Sequence, residues 1–135
     1  MGSVTMELSQ ITRQPPILSR GRVLLVEDDE ANRWILAALL KDEGYEVETA
    51  ADVTEALLRI QRPVSYEAVL LDVQLAERSG LELIPPIRER SAQTKIMLLS
   101  GRVDLEALRP RADAVFLKGG SFADFLRLLA KMISR

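Results

Sequence analysis

The sequence predicts an α/β fold, a doubly wound five-stranded parallel sheet with helices on both faces. Three observations carry that expectation. Five short apolar runs alternate with five stretches of helical periodicity, a pattern that favours parallel strands joined by right-handed crossovers. Most of these runs are continuously apolar rather than alternating, as burial on both faces requires. Four of them end in polar or charged residues, Glu27-Asp28-Asp29, Asp72, Ser100 and Lys118. In open α/β sheets, functional groups gather just beyond the carboxyl ends of the strands.

The elements follow in order. Residues 1–21 read as a flexible N-terminal arm: they carry Gly, Ser and Gln, a Pro15-Pro16 pair and no sustained periodicity. Met1-Gly2-Ser3 matches an expression scar. The domain is expected over residues 22–135. Arg22-Val-Leu-Leu-Val-Glu27 is the first strand, and a helix is expected from about Glu30 to Asp42 with Gly44 as its stop. Glu46-Val-Glu-Thr-Ala50 alternates like an edge strand, and Asp52 can cap a helix running to about Gln61. Ala68-Val-Leu-Leu-Asp72 is the next buried run, then a loop to Gly80 and a helix near Leu81–Arg90. Lys95-Ile-Met-Leu-Leu-Ser100 precedes a short helical piece around Val103–Leu108. Ala114-Val-Phe-Leu-Lys118 is the last strand, and Ser121 caps an amphipathic helix over Phe122–Ser134.

Composition removes whole classes of chemistry. The chain has 135 residues, 47% of them hydrophobic and 28% charged, which fits one globular domain. The apolar run Trp34–Leu40 is far short of the roughly 20 residues a bilayer crossing needs. With no cysteine there is no thiol nucleophile and no Cys-ligated metal. With no histidine there is no Ser–His–Asp triad and no histidine base. The net charge is −2 without a basic block, so nucleic-acid binding is not expected. The remaining chemistry belongs to carboxylates, hydroxyls, lysine and arginine.

Asp28, Asp72 and Glu27 would place up to three carboxylates in one cleft. Bare, they repel one another, and at least one pKa should rise. A hard divalent cation relieves that repulsion, and an all-oxygen site with open water positions suits Mg²⁺. Lys118 adds a mobile positive charge and Ser100 a hydroxyl donor. Together these groups can neutralise a phosphoryl group in flight, with one carboxylate as nucleophile.

On these residues the sequence resembles the receiver (phosphoacceptor) domain of two-component response regulators, of the stand-alone single-domain type. The carrying strings are Leu24-Leu-Val-Glu-Asp-Asp-Glu30, Ala68-Val-Leu-Leu-Asp72, Ser79-Gly80-Leu-Glu-Leu83, Ile96-Met-Leu-Leu-Ser-Gly101 and Ala112-Asp-Ala-Val-Phe-Leu-Lys118. The resemblance covers about residues 22–134 and implies the flavodoxin-like (CheY-like) strand order 2-1-3-4-5. It implies that Asp72 is the phosphoacceptor, with Gly80 eight residues on. Asp28 aligns with the acid that binds Mg²⁺ directly, Glu27 with the one acting mostly through water, and Asp29 is peripheral. The carbonyl of Gln74 would be a further metal ligand beside Asp72. Ser100 resembles the switch hydroxyl, the amide of Gly101 a phosphate donor beside it, and Lys118 the lysine that pairs first with the acceptor and then with phosphoryl oxygen. Gln74 and Arg102 occupy positions that tune dephosphorylation. The implied cofactor is Mg²⁺, and the implied compartment is cytoplasmic with no membrane contact. The implied partners are a sensor histidine kinase or histidine phosphotransfer protein and a downstream protein target. No DNA-binding segment is expected after the last helix, and output is expected through protein contacts.

Four departures from the family pattern bear on readout. Gly119-Gly120 follow Lys118 where proline is usual, and Val115 stands where an aromatic switch partner is common. The Ser100-to-Lys118 interval is about one helical turn short, with Pro110 limiting the fourth helix. Pro85-Pro86 predict a kink in the third helix or a late start. Arg33 and Trp34 on the first helix read as surface and packing residues, or as part of a docking face with Trp34 as anchor. The competing functional reading is a phosphorylation-independent interaction scaffold on the same fold. A haloacid-dehalogenase-like phosphatase needs a second acid where Gln74 stands, and a flavin site would be repelled by the acids after the first strand.

Overall fold

The computed structural model describes residues 19–76, 78–101 and 105–134. Five strands, β1 (Arg22–Val26), β2 (Glu46–Ala50), β3 (Ala68–Asp72), β4 (Lys95–Ser100) and β5 (Ala114–Leu117), alternate with five helices. The helices are α1 (Glu30–Asp42), α2 (Val53–Gln61), α3 (Ile84–Arg90), α4 (Leu105–Leu108) and α5 (Phe122–Ile133). All strand pairs in this sheet are parallel, in the order β2-β1-β3-β4-β5. This is the flavodoxin-like arrangement expected.

Local chemistry sets the helix ends. The carboxylate of Asp29 accepts the Asn32 N–H at 2.8 Å, and that of Asp52 accepts the Glu55 N–H at 2.7 Å. Ser121 Oγ accepts the Asp124 N–H at 3.1 Å. Gly44 stops α1 at φ +102°, a conformation that favours glycine. The paired prolines produce a late start. A 3₁₀ turn (Gly80–Leu83) comes first, and α3 begins at Ile84. Pro85 and Pro86 thus fall in the first turn, where an N–H would have no helical partner.

Alternate residues of the strands feed two cores. Leu24, Val26, Val69, Leu71, Ile96 and Leu98 pack with Ala56, Ile60 and Ile87 of α2 and α3. Val23, Leu25, Leu70, Met97 and Leu99 pack with Leu40, Phe125 and Leu129 of α1 and α5. Every residue of β3 is buried.

Three features differ from the sequence reading. β5, read as buried on both sides, is the second edge strand; Ala114–Phe116 are half-buried and Leu117 is 38% exposed. It lies last in the sheet order, and α4 beside it has only four residues before a 3₁₀ turn at Arg109–Arg111 that contains Pro110. The loop expected after Asp72 holds a small antiparallel hairpin, Gln74–Leu75 against Arg78–Ser79. Of the expected arm, residues 1–18 lie outside the described residues. Arg20 and Gly21 already belong to the body: the Arg20 N–H donates to Gly44 O and the Gly21 carbonyl accepts from Glu46, both at 3.0 Å.

Candidate functional site

The carboxyl ends of β1, β3 and β5 bring the acids and the lysine together. Glu27 follows β1 and is 2% exposed; Asp72 ends β3 and is 3% exposed. Asp28, one residue on from Glu27, is exposed. One carboxylate oxygen from each of Glu27, Asp28 and Asp72 lies within 4.8 Å of the others. Lys118 follows β5 and sends Nζ to Asp72 Oδ2 at 2.7 Å, with Glu27 Oε1 at 3.6 Å.

The backbone holds each acid in place. The Gln74 N–H donates to Asp72 Oδ1 at 3.0 Å, and the Asp29 N–H donates to Glu27 Oε2 at 3.0 Å. The Ala76 N–H donates to Asp28 Oδ2 at 2.9 Å. Ala76 reaches that position at φ +42°, in the left-handed region that L-residues with side chains seldom adopt. Arg33 Nη1 donates to the carbonyls of Glu27 at 2.8 Å and Asp28 at 3.3 Å, so α1 grips the acidic turn from behind. Gly80 closes the loop against Asp72: a Cβ there would sit 2.0 Å from the Asp72 carbonyl oxygen. No residue but glycine fits that approach.

Electrostatics follow from this packing. Burial pushes the Glu27 carboxyl above its ordinary value; the Asp29 N–H opposes this, Asp72 repulsion adds to it, and Lys118 opposes it. For Lys118, burial alone would lower the ammonium. The hydrogen bond to Asp72 and the charges of Asp72 and Glu27 outweigh that and raise it. Three crowded carboxylates beside one ammonium leave excess negative charge, and their all-oxygen donor set fits a hard divalent cation such as Mg²⁺.

The remaining predicted residues take definite places. Ser100 ends β4, 2% exposed, and its carbonyl accepts the Lys118 N–H at 2.7 Å, tying hydroxyl and lysine strands together. Gly101 is exposed, with open space where a side chain would stand. The Gln74 side chain is exposed. Asp29 caps α1. Val115 is half-buried against the α2–α3 core. Arg102 lies outside the described residues. Two contributors were not read from the sequence, Arg33 as a clamp and the Ala76 N–H. An arginine one turn into a helix after an acidic strand end is a usable signal for the first. Nothing local signals the second.

The family model for the response regulator receiver domain matches residues 23–129. The chain belongs to this family. Its receiver fold is shared by the response regulator TrrA of Thermotoga maritima, solved in complex with Mg²⁺-BeF. The TM-score is 0.74 at 31% identity, covering 82% of this chain and 97% of that one. A response regulator of Burkholderia pseudomallei, solved with a phosphorylated aspartic acid, calcium and citrate, gives a TM-score of 0.69 at 28% identity, covering 78% of this chain and 64% of that one. The cell cycle transcriptional regulator CtrA of Caulobacter vibrioides is 35% identical over 85 residues, 63% of this chain and 36% of CtrA. The receiver thus spans about a third of the length of that relative. Its place is in two-component signalling, whose receivers act as phosphoacceptor switches. Among the described residues no helix is long and apolar enough to cross a membrane.

Proposed function

We propose that Asp72 accepts a phosphoryl group from a phosphohistidine on a separate protein, a sensor histidine kinase or a histidine phosphotransfer protein, in a Mg²⁺-dependent phosphorelay. The observation that carries this is the Asp72 carboxylate held between the Lys118 ammonium at 2.7 Å and two further carboxylates within 4.8 Å. The sequence contains no histidine, so the phosphohistidine lies outside these 135 residues. An oxygen of Asp72 attacks phosphorus, a P–O bond forms, and the P–N bond to imidazole breaks. The imidazole leaves with the bonding pair and takes a proton from its surroundings. Glu27, Asp28, Asp72 and the Gln74 carbonyl would hold Mg²⁺, which when bound supplies charge neutralisation to the phosphoryl oxygens. Lys118 pairs with the acceptor and then with a phosphoryl oxygen. Ser100 and the Gly101 amide are read as donors to the product.

The exposed apolar face of α1, with Trp34 at its centre, is read as the surface that docks the donor. The protein is read as cytoplasmic, passing its signal to a downstream protein target. The TrrA complex and the Burkholderia phosphoaspartate support the chemistry by likeness. The scaffold alternative leaves an intact set of three acids and a lysine without a use.

Incubation with acetyl phosphate, resolved on a Phos-tag gel, tests the reading. Retardation is expected with Mg²⁺, lost in EDTA and lost in Asp72→Asn. No retardation, or retardation unchanged in Asp72→Asn, would overturn it and favour the scaffold.

A further inference from the structure

Consecutive side chains on an extended strand point to opposite faces of the sheet. Glu27 still lies in the path of β1, since its N–H donates to Ala50 O of β2 at 3.0 Å. Asp28 is the next residue, yet one carboxylate oxygen of each lies within 4.8 Å of the other and of Asp72. The chain must therefore bend between them before both acids can face one cation. The helix that follows does not make this bend, because α1 is capped by Asp29 and begins at Glu30.

Arg33 holds the bend from α1. Its Nη1 donates to two successive carbonyls of the turn, that of Glu27 at 2.8 Å and that of Asp28 at 3.3 Å. Among the described residues no backbone N–H donates to either oxygen. The arginine is half-buried, and both bonds go to main-chain oxygens rather than to carboxylates. The carboxylates have other partners, the Asp29 N–H on Glu27 and the Ala76 N–H on Asp28. Those bonds aim the two side chains, whereas Arg33 fixes the main chain from which both spring.

We propose that Arg33 is a positioning residue for the cation site: it holds the bend that brings Glu27 and Asp28 to one side, and so sets the affinity for Mg²⁺ without touching it. The proposal rests on the reading of Glu27, Asp28 and Asp72 as the Mg²⁺ site. Partners behind metal ligands change affinity by about 10–100-fold when removed. Lysine replaces this arginine only in part, because its ammonium lacks the rigid planar fork.

Calorimetric titration with Mg²⁺ alone, with no phosphodonor present, tests the assignment. Arg33→Met keeps most of the apolar stem and removes the donor. Its affinity is expected to fall about tenfold, with Arg33→Lys between it and the parent. Should Arg33→Met not fold, Arg33→Gln, a neutral donor on a shorter arm, carries the same expected loss. Arg59→Met is the control, since Arg59 Nε also ties a helix to a strand carbonyl, Thr49 O at 2.7 Å, but at the β2 edge. It is expected to lower the urea midpoint and leave Mg²⁺ affinity at the parent value. Parent affinity in Arg33→Met, or an equal loss in Arg59→Met, would overturn the proposal and leave the cation site standing. A parent chain that takes up no Mg²⁺ would overturn the cation reading, and the role of Arg33 with it.

Discussion

Asp72 and Lys118 meet at 2.7 Å but arrive from unlike strands. Asp72 ends β3, buried throughout between β1 and β4; its carboxylate takes the Gln74 N–H and its carbonyl is pressed by Gly80. Lys118 follows β5, a half-exposed edge beside a four-residue helix. It leads into Gly119 at φ +98° with open space around it. The acceptor is fixed on every side, while the cation rides on a loop with room to move. That division suits a lysine that must exchange a carboxylate for a phosphoryl oxygen without disturbing the nucleophile.

The acceptor side has least room at Gly80. Gly80→Ala puts a methyl 2.0 Å from a backbone oxygen, and its expected cost is about 3 kcal/mol, the upper range for overpacking. A urea midpoint within experimental error of the parent would show that the acceptor side yields after all.

Lys118→Met tests the other partner. It leaves Asp72 and Glu27 buried without their cation, but the lysine side chain is 38% exposed and solvent screens the pair. The expected loss is therefore about 1–2 kcal/mol rather than the larger cost of a fully buried pair. Adding Mg²⁺ should recover much of it, visible as a larger metal-induced shift in melting temperature than the parent shows.

Smaller again is Gly119→Ala, which meets nothing within 4 Å. Its cost is confined to backbone conformation, about 1 kcal/mol. Equilibrium unfolding should show that loss with no change in acetyl phosphate labelling. Slower labelling would mean that the lysine loop is as constrained as the acceptor.

The finest effect is in pH. Glu27 holds its proton to higher pH in the folded chain than in the unfolded one, because burial raises it. Its contribution to metal-free stability therefore falls as pH rises through that raised value. Cation binding needs the carboxylate and runs the opposite way: Mg²⁺ affinity rises with pH over the same range and binding releases a proton fraction. Calorimetry in two buffers of different ionisation enthalpy measures it. Proton release unchanged in Glu27→Gln would assign the titration elsewhere.

What could be read from the sequence divides along similar physical lines. Asp28, Asp72 and Lys118 were legible because each closes an apolar run, and strand ends in an open sheet converge. Asp29, Asp52, Ser121 and Gly44 were legible because capping acts within a few residues. The exposed edge at β5 was not legible in its own residues, since Ala114–Leu117 looks as apolar as β3; only the strand order that the resemblance implies puts it last. The Ala76–Asp28 bond spans 48 positions and depends on a left-handed alanine, which no local pattern announces.

A phosphoryl group on Asp72 would leave a chemical mark at that position. Borohydride reduction of the acetyl phosphate-treated protein, followed by peptide sequencing in the mass spectrometer, traps an acyl phosphate as homoserine at its own position. Homoserine is expected at position 72 alone, and only when Mg²⁺ is present. Homoserine at position 28 or 29, or none anywhere in labelled protein, would contradict it.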